Sequence, residues 1–284
     1  MIFIFLLSCY NAIEMINMDK KKNLALHLLA LIFIIIFLYS LGKIILWLKD
    51  NKQIDEETNT INEVVEVKEI EDDENTVIVE TETKEDDLYF KYINYNLIDV
   101  DFSQLKKENN DTVAWIQVKG TNINYPVVQT NNNDYYLVHS FYKKANLGGW
   151  IFLDYRNDIN NLSYNTIIYG HGRIDNSMFG TLKKVITSEW LSNNDNYVVR
   201  LSSLKENSLW QVFSVYKIPT TNDYIKTQFT NNQYLDFLNL IESRSIYDFN
   251  TIVNENDKIL TLSTCYNDNE KIVLHAKLIK KEIK

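Results

Sequence analysis

The chain has 284 residues, 24% of them charged, and a formal net charge of −9 at pH 7. That length leaves room for one substantial domain plus accessory segments, and no basic stripe or basic–aromatic interleaving is present, which excludes nucleic acid as a partner. The charge is unevenly placed. Residues 1–49 carry five Lys against Glu14 and Asp19, a net +3, whereas residues 50–87 carry sixteen acidic side chains against Lys52, Lys68 and Lys84, a net −13. The remainder is close to neutral, so the acidity belongs to one segment and says nothing about what the main domain binds.

In chain order, residues 2–7 are too few to span a bilayer, and Leu6-Leu7-Ser8-Cys9 is a weak lipoprotein-type box with no basic residue before it. A translation start at Met15 or Met18 would leave a conventional signal-anchor, with residues 1–23 as a cytoplasmic N-terminus. Residues 24–42 contain no Asp, Glu, Lys or Arg, and apolar character resumes over 44–48. About twenty such residues cross a bilayer, so residues 24–48 predict a transmembrane helix and a membrane anchor. Lys20, Lys21 and Lys22 favour an inside N-terminus; Lys43, Lys49 and Lys52 weaken that argument, and charge alone leaves the orientation open. A cut near Ser40-Leu41-Gly42 is the alternative.

Residues 49–87 are acidic, poor in aromatics and without an evident apolar stripe. Such a segment buries too little apolar surface to offset its conformational entropy, which predicts a disordered, solvated stalk. From Leu88 the pattern changes. Asp101 or Ser103 caps a short helix to Asn109, and residues 115–118 and 125–128 flank a Lys119-Gly120-Thr121-Asn122 hairpin signal. A helical turn is expected over 134–140. Residues 150–153, 166–169, 197–201, 209–216, 259–265 and 272–279 are further strands, rich in β-branched and aromatic residues. Tyr234, Phe237, Leu238 and Ile241 fall at i, i+3, i+4 and i+7, one buried face of a helix. About eight strands with few helices predict a mainly β domain over 88–284, a closed barrel or a sandwich.

Cys9 and Cys265 would lie on opposite sides of the membrane and cannot pair. A lone thiol in an exported domain reads either as a buried small hydrophobe or as a reactive nucleophile. With an ordinary pKa of roughly 8.5, such a thiol needs help to attack a carbonyl. A neighbouring imidazole can accept its proton and later protonate a leaving amine. His171, between Gly170 and Gly172 at the end of a strand pattern, suits that task; His139 reads as a surface or capping residue and His275 as a sheet-face residue. The histidines lack ligand spacing with Cys or acids, so neither metal nor cofactor is predicted.

These residues carry a resemblance. Thr261-Leu262-Ser263-Thr264-Cys265 resembles the active-site strand of sortases, and Thr166-Ile167-Ile168-Tyr169-Gly170-His171 their histidine segment. Tyr125-Pro126-Val127-Val128-Gln129, Asn133-Asp134-Tyr135-Tyr136-Leu137, Asp154-Tyr155-Arg156-Asn157 and Ser177-Met178-Phe179-Gly180 are similar to class B in particular, as is the insertion carrying residues 234–241. The resemblance covers residues 98–280. It implies a closed eight-stranded sortase-type β-barrel with a few peripheral helices after the transmembrane helix, facing the cell wall. It also implies a Cys-His-Arg site in which Cys265 attacks the Thr carbonyl of a C-terminal sorting motif, His171 is the acid/base, and Ser263 and Thr264 bind substrate. The implied partners are sorting-signal-bearing secreted proteins and an amine of peptidoglycan precursor or of a pilin. One position departs from the pattern: Lys271 stands where the family has Arg, keeping the charge but not the planar donor fork, and the loop over 266–270 is short. Lys271 substitutes for the Arg, or Arg173 reaches the site instead, or the protein is a catalytically weak or silent binder of sorting signals. A simple cysteine hydrolase is a further reading.

Overall fold

From Leu26 to Lys49 every side chain of the first helix is exposed, aliphatic and aromatic ones included. A helix that is apolar all round belongs inside a larger body or a membrane. The structure, a computed structural model, describes residues 20–230, 233–267 and 269–284. The readings for Cys9 and for a start at Met15 or Met18 lie outside the described residues. Two compact units are present, one ending at Lys49 and the other running from Asp50 to Lys284. The first helix, α1 (Lys20–Val64), has 45 residues, and it contains the one stretch among the described residues long and apolar enough to cross a membrane.

The second unit begins with a correction. Residues 49–87 were expected as a disordered stalk, yet from Asp50 the chain is helical to Val64 and then forms β1 (Val67–Ile70) and β2 (Thr76–Ile78). Ile54, Ile61 and Val65 are buried in the same apolar cluster as the main core. Their spacing of i, i+7 and i+11 puts them on one helix face, a stripe too sparse to stand out among sixteen acids. The charges do not prevent packing because several meet cations: Asp72 pairs with the buried Lys280 at 2.6 Å and Glu69 with Arg200 at 2.7 Å.

After a turn of helix, α2 (Tyr89–Tyr92), come β3 (Leu97–Val100), α3 (Ser103–Glu108), β4 (Thr112–Val118), β5 (Asn124–Val128), β6 (Phe152–Leu153) and β7 (Asn165–Tyr169). Then follow α4 (Ser188–Leu191), β8 (Val198–Ser203), β9 (Glu206–Pro219), α5 (Gln233–Ser243), β10 (Ile259–Cys265) and β11 (Glu270–Ile283). Strands β10, β7, β6, β5, β4, β8, β9 and β11 are hydrogen-bonded in that order, and the β10–β11 pairing closes the ring. This is a closed eight-stranded barrel with few helices. β2 adds to β11 over Lys280–Glu282, beyond the residues that β10 pairs. The β9–β11 pairing is bulged twice, at Phe213 of β9 beside His275 and at Ile279 of β11, which supplies the bends that a closing sheet needs.

Trp115, Trp150 and Trp210 are fully buried in the core. On the other face of β9, β10 and β11, α5 seats Tyr234, Phe237, Leu238 and Ile241 against Phe213, Tyr216, Ile259 and Val273. His275 is buried as a sheet-face residue: Tyr216 Oη donates to its Nε2 at 2.8 Å, and Thr261 Oγ1 is 2.8 Å from its Nδ1. Burial, with the Arg244 charge adding to it, pushes His275 down to about 3.

Two expectations follow from this packing. A fragment starting at Leu88 should melt well below one starting at Asp50, and Ile61→Ala should cost about 2–5 kcal/mol in denaturant unfolding. Equal melting of the two fragments would show that residues 50–87 do not pack. Because the pKa of His275 is depressed, the unfolded chain binds the extra proton, so stability is complete above about pH 6.5 and is lost as pH falls toward 3. Between about pH 6.5 and 5, where carboxylates contribute little, His275→Gln should flatten the loss measured by urea titration at each pH.

Candidate active site

Cys265 is the last residue of β10, and its antiparallel partner across the β10–β11 hairpin is Lys271. The connecting loop is tight: Tyr266 N donates to Glu270 O at 2.8 Å, and Asn267 Oδ1 accepts from the amides of Asn269 and Glu270. Residues directly opposite in a ladder carry side chains on the same face. Lys271 therefore extends beside Cys265, and its Nζ donates to Sγ at 2.9 Å. The thiol is exposed.

On its other side β10 pairs in parallel with β7 as far as Ser263 opposite Tyr169. The chain leaving β7 thus carries Gly170, His171 and Gly172 alongside Thr264 and Cys265. The approach is close: a Cβ on Gly172 would lie 1.9 Å from the Cys265 carbonyl oxygen, and one on Gly170 would lie 2.7 Å from the Phe179 ring. Both glycines are there for room, without a positive φ.

His171 is half-buried, and its Nε2 donates to the Leu137 carbonyl at 2.8 Å. Since a carbonyl only accepts, that bond fixes the proton on Nε2 and leaves Nδ1 as the free acceptor of the neutral ring. Burial pulls the His171 pKa below its ordinary value; the Leu137 carbonyl opposes this, while the Arg173 and Lys271 charges add to it. At neutral pH the ring is a neutral base.

The two rival cations separate clearly. Arg173 is committed to Asp175 at 2.7 Å, to Ser177 Oγ at 2.7 Å and to the side chain of Asn51. Lys271 is the one at the sulfur. Cys265, His171 and Lys271 line one cleft of roughly 310 Å³, walled by Leu137, Phe152, Tyr169 and Ile225. Ser263 and Thr264 line it too. The Ser263 hydroxyl bonds Tyr224 Oη at 2.9 Å, whereas the buried Thr264 hydroxyl has no partner among the described residues. His139 stacks on Tyr135 and bonds that residue's carbonyl at 2.8 Å, and His275 stays in the barrel wall.

Other sequence motifs are braces. The Asp154 carboxylate accepts from Arg156, Asn133 and Tyr169, and although burial pushes its pKa up, these donors hold it below the ordinary range. Gln129 donates to the Asp154 and Asn157 carbonyls. Phe179 N–H donates to the His171 carbonyl at 3.1 Å. The sequence reading missed Tyr224 and the 220–225 segment, where Pro219-Thr220-Thr221-Asn222-Asp223 reads only as a loop, and the Leu137 carbonyl, which no side-chain pattern reports.

Residues 116–279 match the sortase domain family. The chain is 39% identical over 184 residues to sortase B of Staphylococcus aureus, covering 63% of this chain and 75% of that protein. It is 36% identical over 182 residues to sortase B of Listeria monocytogenes, covering 62% and 73%. The Staphylococcus aureus sortase B–substrate complex superposes with a TM-score of 0.59 at 38% identity, over 63% of this chain and 84% of that one. A Bacillus anthracis protein described as similar to sortase B gives 0.63 at 34%, over 82% and 97%. The chain belongs to the sortase family of cysteine transpeptidases. Within that family it is class B-like.

The Lys271–Cys265 contact has a measurable consequence. Alkylation of Cys265 by iodoacetamide, followed by intact mass, should slow about tenfold or more in Lys271→Met, which keeps the stem and removes the charge. An unchanged rate would mean that the ammonium does not act on the sulfur.

Proposed function

We propose that the protein is a working membrane-anchored sortase in which Cys265 is the nucleophile, His171 the acid/base and Lys271 the cation. The observation that carries this reading is the Lys271 Nζ–Cys265 Sγ contact of 2.9 Å, made in the cleft that His171 also lines. The Cys265 sulfur attacks the Thr carbonyl of a sorting motif, forming a C–S bond as the carbonyl oxygen takes up negative charge. Lys271 moves from sulfur to that oxygen. His171, having taken the thiol proton, returns it to the departing amine as the C–N bond breaks. An incoming amine, from peptidoglycan precursor or a pilin, then forms a C–N bond at the thioacyl carbon as the C–S bond breaks, giving its surplus proton to His171, which returns it to the Cys265 sulfur. Ser263 and Thr264 hold the substrate backbone in the cleft. Residues 24–48 tether the enzyme in the cell membrane, with the barrel outside, because sorting signals are met at the wall face.

A fixed donor to a developing oxyanion is typically worth about 10²–10³ in rate. With the Asp50–Lys284 fragment, a panel of sorting-motif peptides and an added amine, Cys265→Ala and His171→Ala should abolish product. Lys271→Ala should lower kcat/KM by about 10²–10³, and Lys271→Arg should restore much of it. Peptide binding without cleavage by the unaltered protein would instead support a silent sorting-signal binder, and cleavage indifferent to added amine a hydrolase.

A further inference from the structure

Two segments hold His171 from behind the cleft, and both are gripped by the same stretch of helix. The first is the loop over 135–149. It supplies the Leu137 carbonyl, and the imidazole packs on the bare Cα of Gly149, where a Cβ would lie 2.8 Å from His171 Cδ2. The second is the turn over 172–180, whose Arg173 follows His171 by two residues. Arg173 links the two: its Nη1 fills the space beside Gly148, 2.0 Å from where a Cβ would stand.

We propose that the turns of α1 opening the second unit, through Asp50, Asn51 and Glu57, are a clamp that positions His171 for acyl transfer. The three are positioning residues and touch no reacting atom; the proposal rests on the reading of His171 as the acid/base. Asp50 Oδ2 accepts from Leu147 N at 3.2 Å, and the Asp50 carbonyl accepts from Asn146 Nδ2 at 3.0 Å. Glu57, 4% exposed, accepts from Ser140 Oγ at 2.9 Å, Gln53 Nε2 at 2.7 Å and Tyr142 N at 3.4 Å. Asn51 accepts from Arg173. Inside the loop, Asn146 N donates to the Val138 carbonyl and Trp150 N to the Tyr136 carbonyl, both at 2.9 Å. A shift at residues 140–147 is thereby passed to Leu137 and to the ring it orients. A buried carboxylate is a poor choice for stability alone, since an apolar residue there avoids the desolvation penalty. Its hydrogen bonds do fix the register of helix on loop.

The test uses the full chain in lipid nanodiscs, with Asn51→Ala, Asp50→Ala and Glu57→Gln beside His171→Ala. Readouts are melting temperature, kcat and KM for peptide cleavage, the pH–rate profile, and the nitrogen NMR signals that report the His171 tautomer. A displacement of about 1 Å costs on the order of 10²-fold in rate. The expected result is a fall in kcat of tenfold or more at little-changed KM, with a moved pH profile and loss of the Nε2–H signature. Asn51→Ala and Asp50→Ala change polar groups near the surface, so they report even if Glu57→Gln fails to fold. Wild-type kcat and an unmoved tautomer signal in those two variants would overturn the clamp. The His171→Ala control separates the failures. Inactivity there beside wild-type-like clamp variants removes the clamp alone, whereas retained activity in His171→Ala removes the acid/base reading and the clamp with it.

Discussion

The hydrogen-bonded ladder between β10 and β11 is the constraint on which the rest of this molecule depends. The same set of pairs closes the barrel and sets Cys265 opposite Lys271. Because neighbouring side chains in a strand alternate faces, a slip of one residue would turn the lysine away from the sulfur and invert every core position of β11. The slip is opposed by burial: Ile272, Leu274, Ala276 and Leu278 lie in the barrel interior, while Val273 lies under α5. Stability and site geometry are therefore held by one set of contacts. The ladder itself delivers the Lys271 charge to the sulfur.

Much of this was legible in the sequence, for reasons that differ by residue. The strands of the barrel announce themselves through β-branched and aromatic runs; that over 259–265 coincides with β10 residue for residue. The helix over 234–241 is found because its apolar spacing is dense, with all four marked residues buried. Lengths are less legible: β9 and β11 each run 14 residues, beyond their apolar segments, because polar side chains at their ends are paired across the sheet. The largest error was residues 49–87. Composition describes the average residue there, whereas packing was decided by Ile54, Ile61 and Val65 and by specific ion pairs with the barrel. The grouping of Cys265, His171 and Lys271 in one cleft followed from the resemblance; the Leu137 carbonyl that fixes the His171 tautomer is a backbone atom and leaves no trace in residue type.

The acidic segment also accounts for two unusual lysines. Lys277 and Lys280 are fully buried, an expensive state for an ammonium unless it is partnered. Lys277 donates to Thr81 and to the Ile252 carbonyl, and Lys280 to Asp72. Burial lowers the Lys277 pKa, with the Asp257, Asp87 and Glu82 charges opposing. The excess of negative charge before Leu88 thus has an internal use: part of it neutralises cations that β11 turns outward from the core.

The glycines on either side of His171 invite description as a hinge, and their surroundings argue otherwise. A hinge needs empty volume into which the backbone can swing, but the space at Gly170 is filled by the Phe179 ring and that at Gly172 by the Cys265 carbonyl. Interiors packed this closely do not deform continuously. The segment is a seam between two strands, and movement there would have to part β7 from β10.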